Sequence, residues 1–136
     1  MKNINKIAKL ISDAKSNGNL IDSYEIDEIQ KIKDAYLLQN SAIKISELNQ
    51  CGWKIGATSV SAQKHLKVSE PISGPIFKEH IYNSPSKISV FTKHQTHVEC
   101  EFAFKFKNKL IPKKNKYKLD EIITAIDCLI SVIEIV

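Results

Sequence analysis

Arginine is missing from this sequence: all 20 basic residues are lysine. Proteins that read nucleic acid rely on the planar, bidentate guanidinium for bases and phosphates. A net charge of +5 made of scattered lysines therefore does not point to a nucleic-acid partner. The densest run, Lys113-Lys114-Asn115-Lys116-Tyr117-Lys118, reads as a solvated loop. Cysteine is scarce, and Cys51, Cys100 and Cys128 are odd in number, far apart and without a C-x-x-C spacing. That argues against a disulfide framework and for a reducing compartment. No unbroken apolar segment follows the lysines near the N-terminus, so the start does not read as a secretory signal. No run approaches the roughly 20 apolar residues of a membrane-spanning helix. A cytoplasmic location with no membrane partner is expected. Internal repeats and low-complexity segments are also absent.

What is present suits one globular domain with its own core. The 136 residues are 43% hydrophobic and 26% charged, outside the range of disordered chains. We expect an α+β fold over residues 1–136, with a helical part at 1–50 and a mixed β-sheet part at 51–136. Ile4, Ile7, Ala8, Leu10, Ile11 and Ala14 recur at helical spacing, and Gly18 follows as a stop. A second helix is expected from near Ile26, with Ile29, Ile32, Tyr36, Leu37 and Ile43 as its stripe. Tyr36 on that stripe reads as core, with its hydroxyl satisfied at the edge. Val60 to Leu66 reads as a short helix, and Glu70 to Pro75 as a loop because of its two prolines and glycine. Ile76-Phe77 and Ile88-Ser89-Val90-Phe91 are short strand candidates. A crossover helix is expected from Leu119, with Ile122, Ile126, Leu129, Ile130 and Ile133 as its apolar face. Asp120 and Glu121 in its first turn complement the helix dipole.

Two strands carry the candidate chemistry. In His97-Val98-Glu99-Cys100-Glu101-Phe102-Ala103-Phe104-Lys105-Phe106 the side chains alternate between faces. Cys100, Phe102, Phe104 and Phe106 share one face, expected to be core. Glu99 and Glu101 share the other, about 7 Å apart along a strand rising about 3.3 Å per residue. Two anions so placed repel unless a cation or water lies between them. Hard divalent cations prefer such oxygen ligands; the plainer alternative is a solvated strand face, which Lys105 and Lys107 suit. The second strand is read in Cys51-Gly52-Trp53-Lys54-Ile55-Gly56-Ala57-Thr58-Ser59, where Trp53, Ile55 and Ala57 alternate with Gly52, Lys54, Gly56 and Thr58. Lys54 there stands between two glycines, and glycine inside a strand often marks close approach of a ligand or backbone. An exposed lysine on an edge strand is the alternative.

Gly52-Trp53-Lys54-Ile55-Gly56-Ala57-Thr58-Ser59 resembles the G-[YW]-K-I-G-x-T-S motif of the 2-keto-4-pentenoate hydratase family, in the fumarylacetoacetate hydrolase superfamily. Ala35-Tyr36 with Gln39 resembles its A-Y-x-x-Q helix. Gln63, Leu66, Val68, Pro71, Gly74 and Phe77 match Q-x-x-L-x-V-x-x-P-x-x-G-x-x-F. Val98-Glu99-Cys100-Glu101-Phe102-Ala103-Phe104 resembles V-E-x-E-x-A-F, and Ile133-Glu134-Ile135-Val136 resembles the [IL]-E-[IV]-V that closes the next helix. The resemblance runs through essentially the whole chain but covers only the N-terminal half of the family's. It implies a truncated fumarylacetoacetate hydrolase-like fold, from a shortened chain, a split gene or a decayed copy.

In the family a divalent Mg²⁺ or Mn²⁺ is held by glutamates that correspond here to Glu99, Glu101 and Glu134. The metal chelates a 2-keto acid and stabilises the enolate formed on tautomerisation. Lys54 matches the active-site lysine, and Thr58 and Ser59 fall among the substrate-binding positions. The implied reaction is hydration of 2-hydroxypenta-2,4-dienoate to 4-hydroxy-2-oxopentanoate in aromatic catabolism. A related 2-oxo acid decarboxylase of oxalocrotonate type shares these motifs. A non-catalytic half-domain needing a partner chain is the reading from another class. The implied partners are a small 2-oxo or 2-hydroxydienoic acid and either further copies of the chain or a missing C-terminal half. One departure stands out: Ile72 occupies the place of an acidic residue two before the glycine. A zinc site from His94, His97, Glu99 and Glu101 is a further alternative, though zinc prefers compact tetrahedral sets of histidine and cysteine.

Overall fold

The structure, a computed structural model, describes residues 3–136. The chain divides into two compact units, one ending at Ser89 and one spanning Val90–Val136. It is α+β, but its strands form two separate antiparallel pairs rather than the mixed sheet expected from the sequence.

The first unit begins with an α-helical hairpin. Helix α1, Ile4–Asn17, ends at Gly18, whose φ of 62° is the left-handed conformation that a glycine cap adopts without a Cβ penalty. Helix α2 is Ile32–Ser46. It starts later than the sequence suggested because Ser23–Ile26 forms a 3-10 turn, where Glu25 accepts a hydrogen bond from the Asp22 N–H. The hairpin core is Ile7, Ala8 and Leu38, with Ile4, Ile11, Ile29 and Ala42 packed around it. The Ser41 hydroxyl donates to Asn5 Oδ1 at 2.7 Å and ties the helices at their polar edge.

Strand β1, Gln50–Gly56, then leads through helix α3, Val60–Leu66, to strand β2, Ile72–Phe77. The sequence reading of residues 70–75 as loop fails here. Gly74 and Pro75 are turn formers by propensity, but this ribbon has only two strands, and an edge strand tolerates a residue without an N–H. Pro75 pairs with Trp53, and Lys54 pairs with Gly74. Glu79 closes the open end of the ribbon by accepting hydrogen bonds from Asn49 N and Nδ2. The expected strand at Ile88–Phe91 does not form; the segment has no ladder partner.

The second unit is built on strand β3, Val98–Phe106, helix α4, Leu119–Ala125, and strand β4, Ile126–Ile135. Glu121 Oε2 accepts the Lys118 N–H at 2.7 Å, and Lys113 Nζ lies 2.6 Å from Glu121 Oε1, so the lysine-rich loop is anchored to the start of α4. The crossover helix expected to run on through Ile133 stops at Ala125. Residues 126–136 are apolar enough to satisfy a helical stripe or a strand. Their β-branched isoleucines and valine favour extended backbone, and β3 offers a full ladder of partners.

The hydrogen bonds from the Asn49 side chain hold the Glu79 carboxyl below its usual pKa. A group depressed on folding contributes stability above its unfolded pKa and loses it as pH falls through the folded value. Urea midpoints of the chain and of Glu79→Gln should therefore differ at neutral pH and converge in acid. A separation that stayed constant across the acid range would contradict the clamp.

Candidate functional site

The register of β3 against β4 assembles the acidic residues. Glu99 pairs directly with Glu134, and Glu101 pairs with Val132. Cross-strand partners share a face, as do residues two apart on one strand. Glu99, Glu101 and Glu134 therefore lie on one face of the ribbon. His97 and Val136 exchange both backbone hydrogen bonds, at 2.8 and 2.9 Å. Bonded and non-bonded pairs alternate along an antiparallel ladder, so Glu99–Glu134 is again a bonded pair, with Cα atoms about 5.5 Å apart. Glu134 is half-buried, as are Ala103 and Val132 on the same face, while Glu99 and Glu101 are exposed.

Like charges directly opposite one another destabilise a ribbon unless something neutralises them. Lys105 lies further along the same face, but its ammonium is 3.1 Å from Asp127, which holds its pKa above the ordinary value through their hydrogen bond. The three-carboxylate set fits a hard divalent cation in donor chemistry and in backbone register. Among the described residues, however, no group of three or more His, Cys, Asp or Glu side chains closes into a metal cluster. The glutamate side chains would have to turn toward one another. The zinc alternative with His94 and His97 is subject to the same observation.

The opposite ribbon face corrects the sequence reading. Cys100, Phe102, Phe104 and Phe106 were expected in a core, yet all four are exposed, with Phe102 at 70% and Phe104 at 58%. Their cross-strand neighbours Leu129 and Ile133 are exposed too. A two-stranded ribbon cannot bury its own face; that takes a second layer of structure.

Lys54 belongs to the first unit, at mid-strand in β1 and exposed. The glycines beside it, Gly52 and Gly56, oppose Ile76 and Ile72, so Ile72 lies over the bare backbone of Gly56. Where an acidic residue was expected, this chain has a packing contact. After β1, Ala57 turns the chain with φ 54°, an uncommon conformation for a residue with a Cβ, and its carbonyl accepts a hydrogen bond from Gln63 Nε2 at 2.9 Å. Thr58 is exposed, and Ser59 is the N-cap of α3, its hydroxyl accepting the Ala62 N–H at 3.1 Å.

Tyr36, read from the sequence as a stripe residue with its hydroxyl satisfied at the edge, and the motif residue Gln39 prove to be linked. Tyr36 and Gln39 of α2 both bond Ser73 of β2: the Ser73 N–H donates to the Tyr36 hydroxyl at 3.1 Å, and Gln39 Nε2 donates to the Ser73 carbonyl at 2.9 Å. The A-Y-x-x-Q and P-x-x-G spacings were the signal, but their mutual contact is non-local. A groove of about 390 Å³ lies beside this clamp, lined by Ile32, Tyr36, Lys67, Val68, Ser69, Glu70 and Ile72, and includes none of the sequence-predicted site residues. No helix among the described residues is long and apolar enough to cross a membrane.

Comparison with known proteins agrees with the motifs. The chain is 32% identical over 108 residues to the 2-keto-4-pentenoate hydratase of Paraburkholderia xenovorans (strain LB400). It is equally similar to 2-keto-4-pentenoate hydratase 3 of Pseudomonas putida. Each match covers 77% of this chain but 39% of the relative, so the chain spans well under half the length of the curated relatives it matches. No protein-family model matches the chain.

The exposure of the apolar ribbon face has a direct test. Phe102→Ser and Phe104→Ser should each change stability by no more than about 0.5 kcal/mol, as for surface positions, and should reduce binding of an apolar fluorescent dye. A loss of about 3–5 kcal/mol, the cost of emptying a buried phenylalanine site, would contradict the uncovered face.

Proposed function

From the premise that this chain is related to the 2-keto-4-pentenoate hydratases over 77% of its residues, we propose that it is the metal-binding part of a hydro-lyase. The substrate is 2-hydroxypenta-2,4-dienoate or a close 2-oxo acid relative, and the product is the 4-hydroxy-2-oxo acid. The observation that carries the proposal is the pairing of Glu99 with Glu134, with Glu101 on the same face. Those carboxylates would hold Mg²⁺ or Mn²⁺ through oxygen ligands alone. When bound, the metal supplies Lewis acidity toward the carboxylate and 2-oxo oxygens of a keto acid.

The chain's own residues divide the remaining work. Lys54 supports the substrate anion with its ammonium or carries a proton to or from the dienol. Ser59 uses an oxygen lone pair to cap α3, and that cap leaves its hydroxyl proton for a substrate oxygen. Thr58, exposed next to it, offers a second hydroxyl. A second reading is favoured by the uncovered apolar face of the β3–β4 ribbon. In it the 136 residues are a half-domain that acts only with a complementary partner chain.

Calorimetric titration of the chain with Mn²⁺ tests the site. Binding is expected at one ion per chain, about 10-fold or more weaker in Glu101→Gln, since one good charged ligand contributes at least about 1.4 kcal/mol. Lys54→Met should keep the Mn²⁺ affinity and lose turnover in a dienoate hydration assay. Equal Mn²⁺ affinity in the chain and in Glu101→Gln would remove the glutamates from the site.

A further inference from the structure

Lys54 lies directly across the ladder from Gly74. A Cβ built on Gly74 would stand 3.3 Å from Lys54 Cγ, 3.6 Å from Cδ and 4.0 Å from Gln39 Nε2. The alkyl stem of Lys54 therefore rests on the bare Cα of Gly74. Glycine is not needed there for its backbone, since Gly18 is the one described glycine with positive φ. It is needed for the space.

The backbone under that stem is held from the other side. Ser73, the residue before Gly74, directs its N–H and C=O away from β1 and toward α2. There Tyr36 and Gln39, one helical turn apart, take both groups. In a two-stranded ribbon such outward groups would otherwise go to water or to another strand. Both contacts are half-buried, which favours a fixed geometry over exchange with solvent.

We propose that Tyr36 and Gln39 are positioning residues for Lys54, acting through the backbone of Ser73 and the missing side chain of Gly74. The clamp fixes β2 relative to α2, and Gly74 then sets the path of the lysine stem and hence the direction of its ammonium. This rests on the reading of Lys54 as the residue that meets substrate, but its test does not depend on turnover. Alanine at Gly74 would require Lys54 Cγ to yield by a few tenths of an ångström, and the ammonium at the end of the stem would move further. Alanine at Gly52 meets only Ile76, at an ordinary 3.7 Å, and does not touch the lysine.

The experiment is a proton–carbon NMR spectrum of the lysine Cε groups in the labelled chain, with the Lys54 signal assigned by its loss in Lys54→Met. Gly74→Ala and Gln39→Leu should each shift that signal by more than its linewidth and leave the far-UV circular dichroism unchanged. Tyr36→Phe, which removes only the hydroxyl, should shift it in the same direction, and Gly52→Ala should leave it in place. A Lys54 signal unmoved by Gln39→Leu, or moved as far by Gly52→Ala as by Gly74→Ala, would overturn the proposal. If Gly74→Ala does not fold, the comparison of Gln39→Leu with Gly52→Ala decides alone. Loss of the hydratase reading would appear separately, as full turnover in Lys54→Met with these shifts intact.

Discussion

The register between β3 and β4 is the constraint on which the second unit depends. Slipping that pairing by one residue would send every side chain of β4 to the other face. Glu134 would then join the phenylalanines, and Ile133 and Ile135 would face the glutamates. The observed register keeps all three carboxylates on one side and a mostly apolar row, interrupted by Ser131, on the other. Repulsion between Glu99 and Glu134 opposes it, and the apolar cross-strand pairs favour it. Cys100 with Ile133 and Phe104 with Leu129 lie on the face where burial by a second layer would reward them most.

The two faces differ in exposure: Ala103, Val132 and Glu134 on the glutamate face are half-buried. The apolar one carries exposed Val98, Phe102, Phe104, Phe106, Leu129, Ile133 and Ile135. Single exposed apolar side chains are ordinary on a protein exterior, whereas here they are neighbours along one ribbon face. In the first unit, burial centres on the α1–α2 hairpin around Ile7, Ala8 and Leu38, and side chains satisfy backbone groups at ribbon edges.

Local signals were legible in the sequence. Gly18 stops α1 as expected, and α3 occupies Val60–Leu66 as read, because caps and periodicity act within a few residues. Strand β3 was legible from its alternation. What failed was non-local. Gly74 and Pro75 advertise a turn, and only the presence of β1 makes them a strand. Residues 126–135 fit two periods, and the partner strand chose between them. The inward expectation for Phe102 and Phe104 assumed a second layer, which alternation cannot reveal. At the candidate site, Glu99 and Glu101 were readable as a pair from spacing, whereas Glu134 joined them only through the motif until the register placed it. Lys54 was singled out by its flanking glycines, but the glycine that matters most to its stem is Gly74, on another strand.

In the proposed function the glutamate face of the β3–β4 ribbon takes a divalent cation. Paramagnetic Mn²⁺ added to the isotopically labelled chain reads this directly, because it broadens the amide signals nearest to where it sits. The signals of Glu99, Glu101, Val132 and Glu134 should disappear first, at substoichiometric Mn²⁺, while those of α1 and α2 persist. Broadening that begins elsewhere, or that falls evenly on every exposed carboxylate such as Glu79 and Glu121, would contradict it.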